Sequence, residues 1–126
     1  VWVAFVTFSD RVQTSPVALA EDADCPDLTF GGSTAFWAAL REVCRLVTAE
    51  VERLGREGVS VQKVLVPVVS DFCPSDHPGD TPALVHKTEA GVRMNLFPIA
   101  AGEAPNMELA NTISRKRPAI RMDPNK

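Results

Sequence analysis

Two short stretches of this chain place hard oxygen donors where a divalent cation can be held. The first, Gly31-Gly32-Ser33-Thr34, runs straight into an amphipathic helical pattern. The second, Val68-Val69-Ser70-Asp71-Phe72-Cys73-Pro74-Ser75-Asp76, closes an apolar run. A cation such as Mg²⁺ takes oxygen ligands in near-octahedral geometry and usually keeps several waters. Thr34 offers a hydroxyl behind a glycine pair that permits close backbone approach, and Asp71 offers a carboxylate just past a strand. In a parallel α/β sheet two such loops share the crevice outside the carboxyl ends of the strands. The same residues also have plainer uses, Thr34 as a helix N-cap and Asp71 or Asp76 as the head of an Asx turn.

Other chemistry is thinner. His77 lies close in sequence to Asp71 and Asp76 and is a candidate base for a hydrolase or phosphoryl-transfer site built on Asp71, although a loop histidine is more often simply solvated. The chain has no Gly-rich phosphate loop of the G-x-x-x-x-G-K-[ST] or G-x-G-x-x-G kind. Cys25, Cys44 and Cys73 show no C-x-x-C or Cys/His ligand spacing, so zinc is not expected. They fit reduced thiols of a cytoplasmic protein, with Cys44 a small hydrophobe on the apolar face of a helix. Arg115, Lys116 and Arg117 beside Pro118 read as a solvated turn. Trp2 and Trp37 sit in apolar runs and read as core aromatics.

The elements that must position Thr34 and Asp71 follow from periodicity. Val1 to Phe8 is almost wholly apolar and predicts a strand buried on both faces, as in a parallel sheet. Arg11 to Ala20 predicts a weaker strand, placed at an edge by Pro16, and Glu21 to Asp27 an acidic loop. From Thr34 to Gly55, Phe36, Leu40, Val43, Val47, Val51 and Leu54 recur at three- and four-residue steps, one helical stripe capped by Ser33 or Thr34 and ended by Gly55 or Gly58. Val59 to Val69 predicts the next strand, with Pro67 awkward for a central position. Helices follow at Thr81 to Ala90, with Pro82 in its first turn, and at Asn106 to Ile113. Strands follow at Val92 to Ala101 and Pro118 to Met122.

Strands alternating with helices predict an α/β fold of three layers: a mostly parallel sheet, helices on both faces and one antiparallel edge strand. At 126 residues the chain fits a single domain, and nothing divides it. A net charge of −3 gives no electrostatic reason for a nucleic-acid or anionic-membrane partner. No apolar run is long enough to cross a bilayer and no signal-peptide pattern is present. The chain starts at Val1 inside a strand pattern, without a polar lead-in, which reads as a domain truncated at its N-terminus.

The ordered series Phe5-Val6-Thr7-Phe8-Ser9-Asp10, Gly31 to Leu40 and Val69-Ser70-Asp71 resembles a von Willebrand factor type A (VWA) domain. With Pro74-Ser75-Asp76 after the aspartate, it is similar to bacterial VWA proteins associated with tellurite-resistance operons. Leu96 to Gly102 resembles the strand that follows in those domains. The resemblance implies a Rossmann-like fold and a protein–protein interaction module rather than an enzyme. It also implies a metal-ion-dependent adhesion site, at which an acidic residue of a protein partner completes the shell of a bound Mg²⁺ or Mn²⁺. Thr34 matches the threonine of the second motif of that site, and Asp71 the aspartate of the third. The first motif, Asp-x-Ser-x-Ser, does not occur in this sequence. The site is therefore expected to be partial and its metal affinity weak or absent, and a degenerate fragment without metal function is the alternative. Phe72 stands where relatives usually have glycine.

Overall fold

Helix α1 (Phe36–Arg56) is the longest element, and its stripe of large apolar residues explains both its existence and its orientation. Phe36, Trp37, Leu40 and Cys44 are buried along one face, with Val43 and Val47 packed at the margin. This computed structural model describes residues 2–8, 12–22, 35–61, 63–92, 94–102 and 104–122. The outer face of α1 carries ion pairs between Arg45 and Glu42, Arg53 and Glu50 (2.8 Å), and Arg53 and Glu57 (3.3 Å). Such exposed pairs contribute little to stability, because water and salt screen them. The helix ends where Gly58 turns left-handed at φ +82°. Gly58 N–H donates to the Gly55 carbonyl (3.1 Å) and Val59 N–H to the Leu54 carbonyl (2.8 Å), which together form a Schellman cap. Gly58 rather than Gly55 is thus the stop.

The sheet is parallel. Strand β5 (Val64–Ser70) pairs with β6 (Met94–Ala100) over its full length, and β6 pairs with the short β7 (Ile120–Arg121), giving the order β5-β6-β7. Helix α2 (Thr81–Gly91) crosses from β5 to β6, and the single-turn helix α3 (Met107–Ala110) precedes β7. The strand expected from Val59 starts only at Val64, because the cap at Gly58 uses the preceding residues to leave the helix.

Both strand prolines fit their places once the hydrogen bonds are followed. Ala101 N–H donates to the Ser70 carbonyl (2.9 Å), so Ser70 points its backbone groups at β6, and alternation makes Val64, Val66 and Val68 do the same. Leu65, Pro67 and Val69 then point theirs away from β6, and the N–H that Pro67 lacks belongs to the unpaired side. Met122 N–H donates to the Ala100 carbonyl (2.7 Å), so Pro98 faces the β7 side, one step ahead of the point where β7 begins to pair. Neither proline removes a ladder bond.

One face of the sheet makes the core. Met94, Leu96 and Ala100 of β6 and Val68 of β5 are buried against α1, α2 and α3 together with Phe72, Val85, Ala110 and Ile113. The expectation of helices on both faces is not met among the described residues. Leu65 (61% exposed), Val69 (52%) and Ile120 (65%) lie on the opposite face. The reason is directional: connections of one hand, the general rule for parallel strands, return their helices to the same side as they step from β5 to β6 to β7 across a sheet. Residues of α2 and α3 share one core with β6.

The N-terminal expectation is also corrected. Instead of one buried strand, Val1 to Phe8 contains β1 (Trp2–Val3) and β2 (Val6–Phe8), and residues 3–8 are only partly buried. The second predicted strand is likewise split by Pro16, into β3 (Val12–Thr14) and β4 (Ala18–Leu19). β1 pairs antiparallel with β4, and β2 with β3, as two ribbons separate from the parallel sheet rather than as its antiparallel edge. Chain that turns back within a few residues can pair only antiparallel, since a parallel partner needs a long crossover. At the break, Phe5 N–H donates to Ser15 Oγ (2.7 Å) and Ser15 N–H to the Phe5 carbonyl (2.8 Å).

Candidate functional site

The loop from Asp71 to Asp80 leaves the carboxyl end of β5, which is where an open parallel sheet presents its crevice. Three interactions set its first turn. Phe72 N–H donates to Ser70 Oγ (3.0 Å), Cys73 N–H donates to Asp71 Oδ1 (2.9 Å), and Asn106 N–H donates to the Asp71 carbonyl (2.8 Å). The Asp71 side chain therefore heads an Asx turn while remaining exposed. Gly102, left-handed at φ +98°, lies alongside, and a Cβ there would meet Asp71 Cβ at 3.7 Å.

Phe72 is the one described non-glycine residue with positive φ (58°). That region disfavours L side chains by roughly 1–2 kcal/mol. The conformation persists because the ring is fully buried, edge-on to Phe36 at 5.4 Å between centroids, with Phe8 packing against Phe36 at 6.1 Å. The backbone thus adopts a glycine-type turn with an aromatic side chain anchoring it beneath.

Asp76 does what Ser33 or Thr34 was expected to do. Its carboxylate accepts from Trp37 N–H (Oδ1, 3.2 Å) and Ala38 N–H (Oδ2, 2.9 Å), capping the start of α1 from across the crevice. The N-cap residue itself is Ala35, which has no side chain able to cap. A carboxylate at this end also suits the helix dipole. The interaction ties the Asp71–Asp76 loop to the start of α1. Thr34 itself, with Gly31, Gly32 and Ser33, lies outside the described residues.

His77 does not join Asp71. Its Nδ1 accepts from Gly79 N–H (3.0 Å), and the residue lines an open cleft of about 420 Å³ with Trp37, Arg41, Arg45, Asp76 and Thr81, of which Asp71 is not a wall. Arg41 in that cleft is held by Asp80 and Thr81 (both 2.8 Å). Arg45 holds the Glu42 carboxyl below its ordinary range, chiefly by hydrogen bonding. A second, more apolar cavity of about 320 Å³ lies between α1, α2 and α3, walled by Trp37, Val85, Leu109 and Ile113 among others. His86 also lines it, and its Nε2 is buried without a partner among the described residues. Among the described residues no three His, Cys, Asp or Glu side chains converge as a metal-binding group.

The basic cluster differs most from its expectation as a solvated turn. Lys116 Nζ donates to the carbonyls of Glu89 (3.3 Å) and Met94 (2.9 Å), tying the end of α2 to the start of β6. Buried Glu89 accepts from Ser114 Oγ (2.7 Å) and Arg115 N–H (3.2 Å). The Arg117 guanidinium lies 4.0 Å above the Phe97 ring and reaches Asn95 Oδ1 at 3.4 Å. Sequence reasoning missed the roles of Glu89 and Arg117 because their partners are 20 to 26 residues away. The one available signal was a glutamate inside an apolar helical turn.

Cys44 is buried and its thiol is pushed up by desolvation, whereas Cys73 is exposed on the rim beside Asp71. No described helix is long and apolar enough to cross a membrane. Comparison of the chain with models of known protein families, with curated proteins and with solved structures finds no match.

Proposed function

We propose that this α/β domain is a protein-binding module of VWA type. Its binding corner would be the crevice between the start of α1 and the Asp71 loop, with Thr34 and Asp71 as cation ligands. The observation that supports this reading is the clamp from Asp76 to Trp37 and Ala38, which ties the Asp71–Asp76 loop to the first turn of α1. The left-handed backbone at Phe72, where the resembled family has glycine, is consistent with the same alignment of motifs.

A hard cation fits the proposed donor types, the exposed Asp71 carboxylate and the Thr34 hydroxyl, and soft thiolate chemistry does not match them. Mg²⁺ or Mn²⁺ bound there would keep waters that an acidic side chain of a partner protein could displace. What this chain supplies is orientation. The Cys73 N–H on Oδ1 and the Asn106 N–H on the main-chain carbonyl fix Asp71 before any ligand arrives. Two protein ligands make a weak site, so binding in the millimolar range is expected.

The test is isothermal titration of the protein with MgCl₂ and MnCl₂, repeated with Asp71→Ala and Thr34→Ala. Heat that saturates in the parent and vanishes in each variant supports the site. Absence of heat, or heat indifferent to both substitutions, rejects it.

A further inference from the structure

Among the described residues, the face of the sheet turned away from the helices is largely apolar and open, and the Arg117 guanidinium lies on it. In register, Leu65 lies beside Asn95, Pro67 beside Phe97, and Val69 beside Ile99 and Ile120. Leu65, Val69 and Ile120 are each more than half exposed. Parallel sheets are normally covered on both sides, because their strands are apolar on both. Arg117 crosses this face, stacked on Phe97, and has no ion pair among the described residues. Its contact to Asn95 at 3.4 Å is a long one to a neutral oxygen, and its buried Nη1 has no partner among the described residues.

We infer that this face docks an amphipathic helix of a partner protein, which lays an apolar stripe over Leu65, Val69, Phe97 and Ile120 and sets a carboxylate against the Arg117 guanidinium. Three observations select that occupant. A strand added at the edge of β5, which no described strand pairs, would meet Pro67 in the middle of the outward-facing positions, where a donor is missing. A helix asks nothing of the edge and needs only the face. A second copy of this chain is disfavoured by charge: sheet-on-sheet pairing would bury two uncompensated guanidinium groups in one interface, and the described helices already turn their apolar sides to their own core. The requirement for an acid follows from Arg117 itself. A stacked, partly desolvated guanidinium gains most from a carboxylate at its free edge.

The surface is distinct from the Asp71 corner, so the two proposals can fail separately. The probe is a fluorescein-labelled peptide of about 18 residues, roughly five helical turns, with leucines at three- and four-residue spacing and one glutamate flanking them. A second peptide carries glutamine instead and is otherwise identical. Anisotropy titrations use the whole protein at low ionic strength without added divalent cation. The glutamate peptide is expected to bind about tenfold more tightly than the glutamine peptide, the size of one charge-assisted contact. Arg117→Gln should erase that difference while leaving the glutamine peptide unaffected, and Arg117→Lys should retain part of it. Leu65→Asp with Val69→Asp, both at exposed positions, should abolish binding of both peptides with the circular dichroism unchanged. Equal binding of the two peptides to the parent protein would overturn the inference. So would failure of either to bind, preference for a strand-forming peptide, or dimerisation by light scattering that Leu65→Asp reverses.

Discussion

The backbone at Phe72 yields the sharpest quantitative test. Replacing Phe72 by Ala removes a fully buried ring and keeps a side chain in the left-handed region, at φ 58°. Buried Phe→Ala changes cost ~3–5 kcal/mol, and here the void would open beside Phe36. Phe72→Gly removes the same ring but also relieves a conformational cost of ~1–2 kcal/mol. Against that relief stands the greater freedom of glycine in the unfolded chain, ~0.4–1 kcal/mol. The glycine variant should therefore be as stable as the alanine variant or up to ~1.5 kcal/mol more stable, although it buries less. Both should fall clearly below the parent, because the ring outweighs the strain. Val85 supplies the control. It is buried in α2, where helical backbone should make Val85→Gly the worse of its pair by ~1 kcal/mol. Urea unfolding of the four variants, compared at constant m, gives the two orders directly. If Phe72→Ala is more stable than Phe72→Gly by over ~0.5 kcal/mol, the left-handed turn is not what the ring is holding and the reasoning fails. If Phe72→Gly exceeds the parent, the aromatic cluster contributes less than its strain costs.

Asp76→Ala should cost ~0.5–2 kcal/mol by uncapping α1, and Asp76→Asn less, since its amide oxygen can still accept one N–H; thermal or urea midpoints of the pair measure this. Equal losses for both would mean the charge rather than the hydrogen bonds matters. Glu89→Ala should destabilise by ~2 kcal/mol or more by leaving the buried Ser114 hydroxyl and the Arg115 N–H without their acceptor. Amide exchange over residues 112–117 should rise with it, and an unchanged exchange pattern would show that the loop is held by something else. Cys73 should react with a thiol reagent in the native protein while Cys44 stays protected until unfolding, since desolvation keeps its thiol protonated. Peptide mapping of the labelled protein distinguishes the two, and native labelling of Cys44 at the rate of Cys73 would contradict its burial.

The succession of α1, β5, α2, β6 and β7 was legible in the chain, with ends shifted by only a few residues, because each is signalled locally. The stripe from Phe36 to Leu54 has helical spacing, Pro82 sits in a first turn, and the apolar runs before Ser70 and Ala101 are strand-like. The helix α3 is shorter than its pattern because Asn106 caps it and the chain then turns at Asn111, whose Oδ1 accepts from Ala119 N–H (2.9 Å). The stretch from Val1 to Phe8 misled for an equally physical reason. An apolar run reports that a segment is to be buried, not which partner buries it, and here short antiparallel returns replaced the parallel sheet.

At the candidate site, the sequence by itself determined the donors: a carboxylate just past a strand, a hydroxyl before a helix, and a second aspartate five residues on. Tertiary structure alone decided what each described donor does. Asp76 became the cap of a helix 38 and 39 residues away, Asp71 the head of a turn, and Arg117 a cation laid on an aromatic ring. It alone decided, too, that among the described residues one sheet face is covered and the other open. Propensity and periodicity act over a few residues and are written in the order of the chain. Caps across a crevice, stacked cations and the choice of face depend on which distant segments meet, and that is settled only when the whole chain packs.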